Sequence, residues 1–330
     1  MKSSNPQGRQ SRPFYTHSVL FEALLRCLGG FLLLTAFSVY AVETTSESPT
    51  ITLYVTVDWE GWSLDEENLD AMRQFRGKYP EIPMLHLLNP VYFVRPGVDA
   101  TEAAQKIKST LLPSDAHGLH LHGWKSLVER CELPYKSEPS FGGVDESCTE
   151  GDCGYTVSLE YAYSEHELTI LTGCSVDLLV QQGFDWPKSF RAGGWQLGPK
   201  LASAIRKNGF LMDSSRTAPQ LVTNRWDESS HLVKMVRALH ADGDILDQPY
   251  ELLPGLIELP NNASLADYTR TEELVEIFRK LVDNNKSVMV MGFHQESAFN
   301  YLDRLADAIP LMQQIADDAG VRLKWAQFTD

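Results

Sequence analysis

Two short spacings in this chain of 330 residues bring together the residue types that metal-assisted hydrolysis uses. Asp58 and Glu60 stand two apart at the end of the β-branched run Ile51 to Val57, where a strand period of two turns both carboxylates to one side and Trp59 to the other. His120 and His122 repeat that geometry at the end of a second strand-like run. Two carboxylates and two imidazoles presented in pairs by one rim make a ligand set for a divalent metal such as zinc, with one carboxylate left over as a general base.

Those residues must be held by elements that end together. The segments Ile51 to Val57, Ile82 to Leu88, Gly118 to His122, Ser189 to Arg191, Phe210 to Met212, Leu256 to Leu259 and Ser287 to Phe293 read as strands. Amphipathic helices separate them. Leu274, Ile277, Phe278, Leu281 and Val282 form one apolar stripe behind a Thr269-x-x-Glu272 capping box, Ser164-x-x-Glu167 opens another helix, and Leu197, Leu201 and Ile205 mark a third that ends at Asn208-Gly209. Strands alternating with helices imply a parallel sheet, and about seven such units suit a single-domain α/β fold, a deformed parallel (β/α)7-type barrel. In such folds the chemistry collects at the C-terminal ends of the strands, where both pairs lie.

A third piece, Ser189-Phe190-Arg191-Ala192-Gly193-Gly194-Trp195, sits between a strand and a helix. The order Val-Asp-Trp-Glu-Gly, Gly-Leu-His-Leu-His-Gly-Trp, Phe-Arg-Ala-Gly-Gly-Trp and then Gly209-Phe210-Leu211-Met212-Asp213-Ser214-Ser215 resembles the polysaccharide deacetylases of carbohydrate esterase family 4. Met291-Gly292-Phe293-His294-Gln295-Glu296 is similar to that family's last motif, a strand ending in a histidine. The resemblance spans about residues 51 to 325. It implies a deformed barrel, a divalent metal held by histidine and acid side chains, and hydrolysis of N-acetyl groups on sugars.

By that resemblance Asp58 is the base, Glu60, His120 and His122 are the metal ligands, and His294 is the acid for the departing amine. Arg191 would pair with Asp58 and fix its orientation. Trp195 is expected to shape the pocket. Asp213 is expected either to orient His294 or to cap the turn before Ser214 and Ser215. Better-known members of the family carry adjacent aspartates and histidines four apart. Here the pattern is Asp58-Trp59-Glu60, and four beyond His120 stands Trp124, with His117 a substitute for His122 as ligand. Trp59, Trp62, Trp124 and Trp226 are candidates to stack on sugar rings, with a core or rim role as the default. The function expected is a metal-dependent hydrolase, zinc being the expected metal, that removes N-acetyl groups from a cell-envelope or extracellular glycan. The same residues leave open an amidase acting on non-sugar C–N bonds and a glycan-binding relative without turnover.

The chain has 29 Lys and Arg against 44 Asp and Glu, a formal charge of −15, which argues against a nucleic-acid partner. A basic start (Lys2, Arg9, Arg12, Arg26) runs into the uncharged stretch Cys27 to Val42, and Val39 and Ala41 fit a cleavage site, so residues 1–41 read as a signal peptide or an N-terminal membrane anchor. Export to the periplasm or cell surface follows, with membrane contact only if the segment stays uncleaved. Residues 42–330 then form the catalytic domain. Cys131, Cys148, Cys153 and Cys174 remain, an even number that suggests two disulfides of open connectivity. Three of them fall in a segment from Lys125 to Tyr163 without helical period, expected as a stapled surface insertion.

Overall fold

The computed structural model describes residues 48–143 and 152–327. The expected leader and Cys148 lie outside them. Strands β1 (Thr50–Asp58), β2 (Met84–Leu88), β3 (Ala116–Leu121), β4 (Ser189–Ala192), β5 (Met212–Asp213), β6 (Tyr250–Leu253), β7 (Leu256–Glu258), β8 (Val288–His294) and β9 (Arg322–Trp325) form one sheet, eight of them in the order β6-β7-β5-β4-β3-β2-β1-β8 and β9 paired with β1 off that path. Every pairing is parallel except β6 with β7.

The sheet curls into a ring without regular pairing between β7 and β8. The chain leaving β7 crosses that gap as an irregular stave: Asn261 N–H donates to Arg216 O at 2.7 Å, and Ala263 and Ala266 donate to Val290 and Gly292 O at 3.0 and 2.8 Å. Single bridges pair Thr217 with Asn261 and Leu265 with Gly292. The ring of β1, β2, β3, β4, β5, β7 and β8 is therefore the deformed barrel that the alternating pattern predicts.

β6 and β9 are absent from the sequence reading, and both lie where the period fails. β6 is a short antiparallel flap on β7. β9 pairs with Thr50–Leu53 of β1 on the edge that β2 uses from Val55 to Asp58. Ile51, Leu53, Val55 and Val57 are all fully buried, which ordinarily stabilises by about 1.5–3 kcal/mol per side chain.

The helices start close to their expected caps. Ser164 and Glu167 form the capping box of helix Glu165–Gln181. The box expected at Thr269 and Glu272 moves by one residue: helix Thr271–Asp283 is preceded by Arg270, whose N–H donates to Glu273 Oε2 at 2.8 Å. Thr269 instead donates its hydroxyl to Ala263 and Leu265 O, tying down the irregular stave.

The segment Lys125 to Tyr163 departs further from expectation. It contains the short helices Lys125–Arg130 and Leu159–Ala162, and Phe141 and Val157 are buried, so these parts of it pack inward. Cys131 is bonded to Cys174 on helix Glu165–Gln181, and Cys153 is also disulfide-bonded. Asn262, formally a glycosylation acceptor, is buried, with Nδ2 donating to Asp247 and Val288 O. Among the described residues no helix is long and apolar enough to cross a membrane.

Candidate active site and metal centre

The strand ends of β1, β3, β4 and β8 meet at one small cavity of about 50 Å³, lined by Asp58, Glu60, His120, Arg191, Trp195 and His294 among others. These are all the sequence-expected site residues except His122 and Asp213. His122 stands directly behind, and Asp213 is elsewhere.

Glu60 is the hub. Gly61, at φ +96°, turns the chain just after it, and a Cβ there would lie 2.2 Å from Val91 Cγ1 and 2.9 Å from Trp124 Nε1, so only glycine fits. The turn brings Glu60 Oε1 within 2.9 Å of His294 Nε2 and 3.4 Å of His120 Nε2, and Oε2 within 2.5 Å of His122 Nε2. The next loop is held by Glu296, whose Oε1 accepts from Gly61 and Trp62 N–H at 2.9 and 3.1 Å and from the Tyr92 hydroxyl, while Oε2 accepts from Glu60 N–H at 3.2 Å. Burial and the nearby Glu60 charge push the Glu296 carboxyl up to about 7. For Glu60 burial opposes ionisation, yet the imidazoles of His122, His120 and His294 hold its carboxyl well below the usual range.

His120 Nδ1 is 2.9 Å from Arg191 O, and His122 Nδ1 is 2.6 Å from Tyr155 O. A carbonyl only accepts, so both Nδ1 atoms carry hydrogen and both Nε2 atoms face inward. Those Nε2 atoms lie 3.2 Å apart, and Glu60 Oε2 is buried without an aligned hydrogen-bond donor. Bare lone pairs this close to each other and to a carboxylate require a cation or an added proton between them. Donors roughly 2.0–2.1 Å from a tetrahedral zinc lie roughly 3.3 Å from one another; His120 Nε2 meets that spacing to His122 Nε2 and Glu60 Oε1, at 3.2 and 3.4 Å, while the 2.5 Å between Glu60 Oε2 and His122 Nε2 is shorter and would open on binding, so Glu60, His120 and His122 could hold a divalent metal.

Gly193 completes the fit, since a Cβ there would sit 2.5 Å from His122 Cε1. His117, the substitute ligand, lies toward the other end of β3, with Nε2 2.8 Å from Asp185 O.

Arg191 Nη1 is 2.7 Å from Asp58 Oδ1 and 3.0 Å from Thr56 Oγ1, and Nε and Nη2 donate to Ser214 O and Oγ at 2.7 and 2.8 Å. Arg191 and Asp58 are 1% and 2% exposed, so the guanidinium is a fixed clamp rather than a surface ion pair. Trp195 adopts φ +56°, a strained conformation for a bulky residue, and is held there by His240 Nε2, 2.8 Å from its carbonyl, and by an edge contact to Tyr268 at 5.0 Å.

Asp213 does not orient His294. Its carboxylate caps the turn, the other role expected of it, accepting from Ser215 N–H and Oγ at 2.9 and 2.7 Å, and β7 with the irregular stave separates β5 from β8. The residue that orients His294 is Asp267, from the irregular stave, with both carboxylate oxygens 2.9 Å from His294 Nδ1. Burial lowers the pKa of His294, but Asp267 and Glu60 together raise it well above the ordinary value. His120 is raised too, its burial outweighed mainly by Glu60.

Sequence reasoning therefore missed Asp267, Tyr155 and Glu296. Glu296 lay inside a quoted motif without a role. Asp267 and Tyr155 occupy aperiodic segments, and no spacing links either to the residue it supports.

No protein-family model matches this chain, and no curated protein matches it in sequence. Its fold is similar to solved structures of the deacetylase kind. One is described as a polysaccharide deacetylase from Mycobacterium smegmatis, with 14% identity, TM-score 0.45, and coverage of 85% of this chain and 88% of that one. Another is a family 4 carbohydrate esterase from Streptomyces lividans, with 13% identity, TM-score 0.38, and coverage of 83% and 91%. A third is a family 4 pseudoenzyme from Bacillus anthracis, with 8% identity, TM-score 0.41, and coverage of 84% and 64%. These likenesses concern the outline of the fold, and the chemistry is argued from the residues.

Proposed function

We propose that this chain is an exported, metal-dependent hydrolase that removes N-acetyl groups from a cell-envelope or extracellular glycan. The observation that carries the reading is the convergence of Asp58, Glu60, His120 and His294 on one cavity of about 50 Å³, with Arg191 behind the carboxylate and Asp267 behind the imidazole.

Glu60, His120 and His122 would hold the metal. A divalent ion bound there supplies Lewis acidity toward an amide carbonyl. Asp58, clamped by Arg191 on one oxygen, accepts the proton of the attacking water. His294, kept protonated and oriented by Asp267, donates a proton to the nitrogen of the departing amine. Trp195 and Tyr268 close the cavity around a group of acetyl size. The motif resemblance of the sequence points to sugars as the bearers of that acetamide.

The test is metal analysis of the purified domain combined with acetate release from acetylated glycan oligomers. The expected result is about one divalent ion per chain and acetate released in step with free amine. A metal-loaded protein that hydrolyses non-sugar amides but no acetylated sugar would overturn the substrate assignment. One that binds glycan without releasing acetate would overturn the enzymatic reading.

A further inference from the structure

Behind Asp58 and Glu60 lies a buried polar network that the proposed chemistry leaves unused. The strand period that sends both carboxylates toward the cavity sends Trp59 the other way, where it is fully buried. There its indole Nε1 donates to His86 Nδ1 at 3.2 Å. His86 stands on β2 opposite Val57 of β1, and its Nε2 is 3.5 Å from Asp115 Oδ2. Asp115 is held in turn: Arg76 Nη2, from helix Glu66–Lys78, is 2.8 Å from Oδ1, and Met84 and Leu112 N–H donate to its two oxygens at 2.9 and 2.7 Å.

Each link fixes the next. An indole N–H only donates, so His86 Nδ1 is bare and the ring hydrogen sits on Nε2, toward Asp115. Burial pushes the His86 pKa below its ordinary value, which keeps the ring in the neutral form that this arrangement needs. The side chains of His86 and Asp115 are 0% exposed and that of Arg76 is 4% exposed. The core around them is apolar, with Val55, Val57, Leu69 and Met72 buried in one cluster with Trp59. Charged groups taken out of water in such a place are costly, and apolar side chains of similar volume often stabilise as well or better. Stability therefore does not account for the network. What it holds does, because the residue at its end is the one between Asp58 and Glu60.

Those two carboxylates have separate tasks in the proposed chemistry, Glu60 on the metal and Asp58 on the attacking water. Their relative placement sets the rate, and a misplacement of about 1 Å can cost roughly 10²-fold. Arg191 restrains the Asp58 carboxylate, and Glu296 restrains the turn after Glu60. The indole restrains the same stretch from the opposite face.

We infer that His86, oriented by Asp115 and Arg76, is a positioning residue: through the Trp59 indole it sets the placement of Asp58 against Glu60, and with it both metal affinity and turnover. The inference deepens the hydrolase reading and rests on it for the roles of the two carboxylates, while metal affinity is a readout independent of turnover.

The experiment measures zinc affinity by competition with a chelator, acetate release from N-acetylglucosamine oligomers, and Tm. The variants are His86→Leu, His86→Gln, Trp59→Phe and the double variant of His86→Leu with Trp59→Phe. In His86→Leu zinc affinity should fall by about 10-fold or more and kcat by roughly 10- to 100-fold, with KM nearly unchanged and Tm close to that of the wild type. His86→Gln, whose amide oxygen can accept from the indole, should restore most of both. Trp59→Phe should reproduce the losses, and the double variant should lose no more than either single one, since both changes remove the same link. Wild-type zinc affinity and kcat in His86→Leu, losses no smaller in His86→Gln, or losses that add in the double variant would overturn the inference. If His86→Leu does not fold, the other two single variants decide: near-native values in His86→Gln with losses in Trp59→Phe support the inference, and any other pairing overturns it. Zinc binding without acetate release by the wild type would overturn the deacetylase reading and leave zinc affinity to decide the role of His86 by the same comparison, and absence of both would overturn both.

Discussion

Both carboxylate oxygens of Asp267 lie 2.9 Å from Nδ1 of His294, so an acid from the irregular stave fixes the tautomer and the charge of an imidazole at the end of β8. The other nitrogen of His294 is left to face the cavity, where Glu60 Oε1 is 2.9 Å away.

Asp267→Asn is expected to lower kcat by roughly 10²-fold with a smaller change in KM, because an amide supports the imidazolium less well than a carboxylate does. His294→Ala should lose most with substrates whose leaving amine is strongly basic. Steady-state kinetics on a series of amides with different leaving groups checks both, and an equal loss across the series would remove His294 from the role of acid.

His120→Ala and His122→Ala are each expected to strip the metal from an otherwise folded protein. Each removes an imidazole whose Nδ1 is already committed to a main-chain carbonyl and whose Nε2 is therefore available as a ligand. Elemental analysis beside a thermal melt gives the answer, and full metal occupancy in both variants contradicts the ligand assignment.

The Asp58 and Arg191 pair should respond asymmetrically. Asp58→Asn removes the proton acceptor and is expected to reduce turnover by roughly 10²-fold or more, while glycan binding survives. Arg191→Lys cannot reproduce a fork that reaches Thr56, Asp58 and Ser214 together, so it should lose both stability and turnover. Asp58→Asn leaves the buried Arg191 charge without its partner, which typically costs about 3–5 kcal/mol, and a denaturant titration measures the loss in both variants. Wild-type turnover in Asp58→Asn would show that the base lies elsewhere.

Glu258 gives a stability prediction with a definite sign. Burial, and then the charge and hydrogen bond of Asp213, push its carboxyl well above the ordinary 4.5. The folded state therefore holds that proton more tightly than the unfolded chain does, and stability falls as pH rises from about 4.5 through the folded-state value. Glu258→Gln keeps an acceptor for Arg216 N–H, now at 3.0 Å, and cannot ionise. Its Tm should match the wild type at acidic pH and exceed it increasingly toward pH 8. A Tm difference that stays constant across this range would contradict the linkage.

Much of the site was legible because strand chemistry repeats with a short period. Asp58 with Glu60 and His120 with His122 stand out as pairs, and Arg191 and His294 each end a run of buried, β-rich residues. The barrel followed from the same alternation. What stayed hidden depends on closure of the ring and on aperiodic chain. Asp267 reaches His294 only because residues 261–266 hydrogen-bond to β8, and Tyr155 reaches His122 from a segment whose composition suggested a solvated surface. Asp213 takes the second of its two expected roles, capping the turn at Ser215 rather than orienting His294.

The contact between His122 and Tyr155 has a consequence for how the protein matures. Tyr155 offers its carbonyl to His122 Nδ1 and stacks its ring on the imidazole at 4.2 Å, and it stands two residues from the disulfide-bonded Cys153 in a segment anchored by Cys131–Cys174. One metal ligand is thus braced by chain that sulfur chemistry holds in place. Oxidation should come first and metal capture second, so that protein made in a reducing environment would carry the barrel but a slack centre. Native protein treated with a thiol reductant should then surrender its metal to a chelator faster than untreated protein, linking the order of assembly to the compartment in which the last bonds form.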